Sequence, residues 1–330
     1  MSYTSTSELD HGTSASQAQE IISLLGYKKV RDGLAVPDRA AGYFWYDEED
    51  YRSWSGVELD VYKTKDGPVT VSTRTSASRS YWDLSHQNKT LKLLRDLFGG
   101  HFETDAGRNR YWRPEGPPPT PISSGCYLAR WRFHNGLGRA RVYLMNRKLE
   151  GQISRDAPSG LEIVDQMNPR ILSNNLLVPY MIAVWEEYFR ATFTACLRYS
   201  TQREAALKRA KLSHSDLEKI AVGSRQVEQS VAEAFSFQRP SLVSDNFKLL
   251  DHKLDIASAL RKPYRRKRAT LFQSIEETIA QRNELVHTGQ INLKLFDKQI
   301  QAVQSDLTEA VNRSYECIAK HYAFAPNHDY

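Results

Sequence analysis

Residues 176–199 constrain the fold of this chain more than any other stretch. Read as a helix, they place Leu177, Tyr180, Met181, Val184, Trp185, Tyr188, Phe189, Phe193, Cys196 and Leu197 around almost the whole circumference. A helix that is apolar nearly all round has to be covered on more than one side, so the surrounding chain must supply a bundle, a second copy, or both. Pro179 fits this helix only in the first turn or at a kink. Beyond residue 199 the chain has helical grammar throughout. Residues 204–211, 215–222 (with Ser215 and Glu218 as a capping box), 225–235, 245–260 and 270–286 all carry apolar residues at helical spacing. The stripe Phe296, Ile300, Val303, Leu307, Val311, Ser314, Ile318 and Tyr322 closes the series. The expectation is an all-α domain of five or six helices over residues 171–325.

The first half reads differently. Residues 1–16 are polar and Ser/Thr-rich, and are expected to be a disordered tail. Residues 17–25 suggest a short helix closed by Gly26, and residues 42–46 a strand. Alternating residues 57–62 and 69–73 flank the turn Lys65-Asp66-Gly67-Pro68, which is a hairpin signal. Residues 84–98 have helical periodicity with Gly99-Gly100 as a stop. A proline-rich loop at 113–119 precedes a second expected hairpin, strands 126–133 and 139–145 around Asn135-Gly136-Leu137-Gly138. The fold class expected is therefore an α+β N-terminal domain, residues 17–150, with a four- or five-stranded antiparallel sheet. A linker at 151–170 leads into the helical domain.

No apolar run approaches the ~20 residues of a membrane span, and no basic-then-apolar leader opens the chain. Cys126, Cys196 and Cys317 form no CxxC pair and are an odd number, so reduced, packed thiols in a cytoplasmic protein are expected. The net charge of +6 matters less than its clustering. Arg261, Lys262, Arg265, Arg266, Lys267 and Arg268 put six cations in eight residues, a solvated turn or a phosphate-binding patch for RNA.

Directly after that patch comes the helix ending Gln281-Arg282-Asn283-Glu284-Leu285-Val286-His287-Thr288-Gly289. RNA carries its own nucleophile, the 2′-hydroxyl, so its cleavage needs proton transfer and charge stabilisation. Histidine titrates near neutrality and serves the first need. Arginine offers a planar fork for phosphate, and asparagine can orient the phosphate. Five residues of helix turn through about 140°, so Arg282 and His287 do not share a face of a straight helix. Either the helix loosens at Gly289, or a two-fold dimer brings two copies of the motif to one cleft.

The spacing Arg282-Asn283-x-x-x-His287 resembles the signature of the HEPN family of helical nucleotide-binding proteins and ribonucleases. The resemblance covers residues 171–325. Trp185-Glu186-Glu187-Tyr188 resembles the family's acidic position in its first helix, with Glu186 preferred as the partner of Arg282. The resemblance implies a homodimer with a composite site, no metal or other cofactor, and a product ending in 2′,3′-cyclic phosphate. Members that pair with a nucleotidyltransferase antitoxin often carry a tyrosine two residues after the histidine; Gly289 stands there instead. The function expected is a metal-independent endoribonuclease of toxin or antiviral-defence type. Arg282, Asn283, His287 and Glu186 form its site, and an antitoxin or activator acts at the first domain. The alternative is a non-catalytic dimerisation, nucleotide- or RNA-binding module joined to a ligand-recognition domain.

Other constellations weigh less. His101, Glu103, Asp105 and His134 follow no metal-ligand spacing. Arg130-Trp131-Arg132-Phe133, read as a strand, has one cationic and one aromatic face that suits base stacking or, more simply, a half-buried sheet.

Overall fold

A computed structural model describes residues 2–30, 36–149, 156–265 and 269–328. The chain divides into two compact units, one running to Ser124 and the other spanning Gly125–His328.

The first unit contains β1 (Tyr3–Glu8), α1 (Ala15–Leu24), β2 (Lys28–Val30), β3 (Arg39–Trp45), β4 (Val57–Lys63), β5 (Val69–Thr75), α2 (Tyr81–Phe98), β6 (His101–Thr104) and β7 (Gly107–Arg108). The strands form one antiparallel seven-stranded sheet in the order β2-β3-β4-β5-β1-β6-β7. Period-2 alternation sends Val57, Leu59, Val61, Val69 and Val71 inward, where they meet Ala18 and Ile22 of α1 and Leu94 of α2. Their neighbours on the strands, such as the cross-strand pair Glu58 and Arg74, face the other way. The expected short helix, the hairpin of β4 and β5, and the long helix stopped at Gly99 are present.

The sheet has seven strands rather than the expected four or five, because β1 and the short strands β2, β6 and β7 carry no alternating apolar signal. Two further expectations fail. Residues 3–8 are not a disordered tail: β1 lies inside the sheet, paired with β5 on one side and β6 on the other. Its polarity hides it, because Ser5 and Ser7 are the buried residues of this strand. The interior accepts Ser5 because its hydrogen bonds are met. Ser5 Oγ lies 2.5 Å from Thr73 Oγ1. The buried amide of Gln87 on α2 donates to the carbonyls of Tyr3 and Thr73, each at 3.3 Å.

His86, one residue before Gln87, sits under Trp45 with the rings 3.7 Å apart and nearly parallel. Burial, helped by the Lys89 charge, pushes its pKa down to about 4. The unfolded chain protonates near 6.5, so between about pH 6.5 and 4 the unfolded state binds more protons. The stability that the neutral ring contributes is complete above pH 6.5 and drains away as the pH falls to about 4. At about 1.4 kcal/mol per tenfold change in proton affinity, it reaches at most about 3 kcal/mol. Relative to the intrinsic exchange rate at each pH, the protection of the sheet amides should fall over this window in the native protein and less so in His86→Gln. Identical profiles would remove His86 as the cause.

The second expectation to fail is the second hairpin. Residues 121–149 are one helix, α3 (Pro121–Leu149), and the helical unit begins at Gly125 rather than beyond a linker at 151–170. Cys126, Ala129, Phe133, Leu137, Ala140 and Leu144 are buried at intervals of three and four, which is helical spacing. The alternation of Arg130 to Phe133 and the glycines at 136 and 138 imitate a strand and a turn. Gly136 has a packing reason: a Cβ built there would lie 2.8 Å from Val184 Cγ1. The Tyr180 hydroxyl also donates to the Gly136 carbonyl at 2.9 Å. Alanine favours a helix over glycine by about 1 kcal/mol, but overpacking costs about 1–3 kcal/mol. Gly136→Ala is therefore expected to destabilise the protein despite its better propensity. A raised urea midpoint would show that Val184 yields at no cost.

After α3 come α4 (Glu162–Gln166), α5 (Pro169–Tyr199), α6 (Glu204–Arg209), α7 (His214–Ala221), α8 (Val227–Glu233), α9 (Pro240–Lys248), α10 (Ile256–Arg261), α11 (Leu271–Thr288) and α12 (Asp297–His321). The apolar helix α5 is covered on more than one side, with Trp185, Tyr188, Phe189 and Phe193 buried; Tyr188 meets Phe133 of α3, Phe189 meets Phe247, and Phe193 meets both Phe237 and Phe247. Pro179 lies inside α5, not in its first turn. The cap of α7 is Ser213 with Asp216, two residues earlier than the Ser215–Glu218 reading. The 245–260 segment is two helices, α9 and α10, because the chain turns between Lys248 and Ile256.

Candidate functional site

Helix α11 starts at a Thr270–Gln273 capping box and ends where Gly289 adopts φ 72°. That left-handed cap suits glycine. The helix is regular through Thr288, so His287 stays within its last turn and does not swing toward Arg282. The two side chains remain about 140° apart around the axis. Within one chain they do not converge.

Arg282 and Asn283 are brought together. Both are half-buried, and Arg282 Nη1 donates to Asn283 Oδ1 at 3.0 Å. Arg282 Nε is buried without a hydrogen-bond partner. Glu186 of α5 faces this arginine electrostatically. Burial raises its pKa, while the charges of Arg190 and Arg282 pull it back. Glu186 pairs with Arg190 at 3.8 Å. Glu187 also pairs with Arg190, at 2.9 Å, and lines a groove between α3 and α5. His287 is exposed and has no hydrogen-bond or ion-pair partner among the described residues.

One site residue is invisible in the sequence. Gln238 Nε2 lies 3.4 Å from Asn283 Oδ1. It is placed there by Trp185, whose indole N–H reaches the carbonyls of Phe237 and Gln238 at 3.2 and 3.0 Å. A glutamine in a turn between helices carries no pattern, so only the fold reveals it.

The chain leaving α11 is also held. Asn175 of α5 exchanges two hydrogen bonds with the backbone of Asn292, at 2.7 and 3.1 Å. Asn174 donates to the Leu295 carbonyl at 2.9 Å. Beside it, Asp297 at the start of α12 is 1% exposed and receives Arg147 of α3, Arg170 of α5 at 3.1 Å, and Asn174 at 3.2 Å. Three helices meet on one carboxylate.

The basic patch lies at the other end of α11. Arg261, Lys262 and Arg265 are exposed, with the Arg261 guanidinium 4.3 Å from the Phe272 ring centroid. Arg266, Lys267 and Arg268 lie outside the described residues. At 1.5 Å per residue the helix start is about 24 Å from His287. The patch can therefore meet the same RNA only several nucleotides away from the motif.

His134 belongs to α3 in the helical unit, whereas His101, Glu103 and Asp105 belong to the sheet unit. No cluster of three metal-ligating side chains occurs among the described residues. Among them, too, no helix is long and apolar enough to cross a membrane.

The class these observations define is coarse: an antiparallel sheet unit followed by a mostly helical unit, whose motif helix has a half-buried Arg–Asn pair and an exposed histidine at its end. No protein-family model matches the chain, and no match is found among curated proteins or solved structures.

Proposed function

We propose that the helical unit is a metal-independent endoribonuclease of the toxin or antiviral-defence type, working in the cytoplasm as a homodimer. One observation carries this reading: a half-buried Arg282 held by Asn283, with Glu186 in electrostatic range and an unpartnered, exposed His287 further along the same helix. In this reading His287 removes the 2′-hydroxyl proton or protonates the leaving 5′-oxygen. The Arg282 fork stabilises the charge that develops on phosphorus oxygens. Since the two do not converge in one chain, a two-fold axis near the end of α11 completes the site. The basic segment at 261–268 extends the path of the RNA, and the sheet unit receives the antitoxin or activator ligand that restrains cleavage.

A second reading has its own support. Arg282 already spends a donor on Asn283, and His287 faces away from it. A non-catalytic dimerisation or RNA-binding module is built the same way. The two are separated by incubating the purified protein with RNA in EDTA. Cleavage with 2′,3′-cyclic phosphate ends, lost in Arg282→Ala and His287→Ala, is the expected result. RNA bound and recovered intact supports the second reading. Cleavage that vanishes with chelator, or survives in both variants, removes the first.

A further inference from the structure

A cleft of about 580 Å³ opens between α3 and α12, with Arg265 on its rim. Neither Arg282 nor His287 lines it, and it shares only Arg265 with the proposed path of the RNA. Its size falls within the range of small-molecule sites, roughly 300–1,000 Å³.

Three features give it a chemistry. The first is uncommitted positive charge. Arg141 is exposed and makes no hydrogen bond or ion pair among the described residues. Arg265 gives one N–H to Ser305 Oγ at 2.9 Å, which leaves most of its fork free. The carboxylate in the lining, Glu309, is occupied by Arg313 Nε at 2.9 Å. The second feature is Gln304, which lines the cleft yet is only 7% exposed, with its amide Nε2 lacking any hydrogen-bond partner. A buried donor without a partner costs about 1–3 kcal/mol, so an acceptor arriving in the cleft relieves a cost already present. The third is an apolar wall formed by Leu144 and the exposed Met145.

We infer that this cleft binds a small organic phosphate monoester. The phosphate lies between Arg141 and Arg265, an acceptor on the organic part meets Gln304, and a flat ring rests on Leu144 and Met145. Two guanidiniums match a phosphate dianion. The apolar wall and the volume call for more than inorganic phosphate.

Isothermal titration with AMP as the probe tests this, with adenosine and inorganic phosphate as its two halves and phenyl phosphate as a ring without nucleoside character. AMP should bind saturably and at least tenfold more tightly than either half. Phenyl phosphate binding as well as AMP assigns the site to aryl phosphates generally; AMP binding far better assigns it to nucleotides. Arg141→Glu and Arg265→Glu should each weaken AMP binding at least tenfold. Arg209→Glu, an exposed charge on α6, should leave it unchanged. Gln304→Leu supplies a signature that a purely structural residue does not give: AMP binding weakens while the melting temperature holds or rises. Absence of saturable binding by AMP and phenyl phosphate, or undiminished binding by the two charge-reversal variants, overturns the inference. So does displacement of AMP by a short oligoribonucleotide that binds more tightly, which would make the cleft part of the RNA path. The readout is binding alone, so it stands or falls apart from RNA cleavage.

Discussion

Asp297→Ala is expected to destabilise the helical unit by about 3–5 kcal/mol, the cost typical of leaving a buried ion without its partner. Two guanidiniums, Arg147 and Arg170, are 7% and 6% exposed and converge on this one carboxylate. Its removal takes this carboxylate from both guanidiniums, while Arg170 keeps an ion pair with the more exposed Asp156 at 3.9 Å. The favourable placement of an acidic residue at the start of α12 is a smaller effect, about 0.3–1 kcal/mol. A domain with about 5–15 kcal/mol of net stability would be left close to unfolding. Asp297→Asn keeps the acceptor and loses the charge, so it should fall between the two. Urea denaturation measures each. A loss under about 1 kcal/mol for the alanine variant would mean that water reaches the arginines and the network is dispensable. The same substitution should also loosen the chain after Gly289, because Asn174 bridges Asp297 and the Leu295 carbonyl.

The second large effect concerns the proposed RNA cleavage. His287→Ala should lower the rate about 10²–10⁴-fold, the usual worth of a positioned proton-transfer group. Arg282→Ala should lower it about 10²–10³-fold, comparable to deleting one pre-placed donor to developing charge. Geometry adds a sharper expectation. If the site takes Arg282 from one protomer and His287 from its partner, then mixing the two inactive variants regenerates intact sites. Half of a random mixture is heterodimer and half of the sites in each heterodimer are whole, so activity returns to about a quarter of the native level. A mixture that stays inactive after subunit exchange would sink the composite site. Recovery has no explanation within a single chain, where the two side chains remain about 140° apart on one helix.

What the sequence reveals depends on whether a local pattern controls the outcome. The hairpin of β4 and β5, the helix closed at Gly99, the central α5 and the glycine cap of α11 all follow from periodicity and stop residues. Strand β1 escapes notice because serines fill its buried positions, and the amide that bonds beside Ser5, Gln87, comes from distant α2. Helix α3 is misread because Gly136 answers to Val184 across a helix contact rather than to a turn. At the site, Arg282, Asn283 and His287 stand out by residue type and spacing, whereas Gln238 and the Asp297 network join residues far apart in the chain. Long-range polar partners leave no periodic trace.

Strand β1 also sets the order of events when the protein is made. Its register partners Thr70 to Thr75 emerge some seventy residues later, and those of β6 later still. Until then the first strand waits unpaired, and the sheet closes by a non-local step of the kind that slows folding. A chain trimmed of residues 3–8 would bare the edges of β5 and β6 that β1 covers in the native sheet, and such edges invite association with other chains.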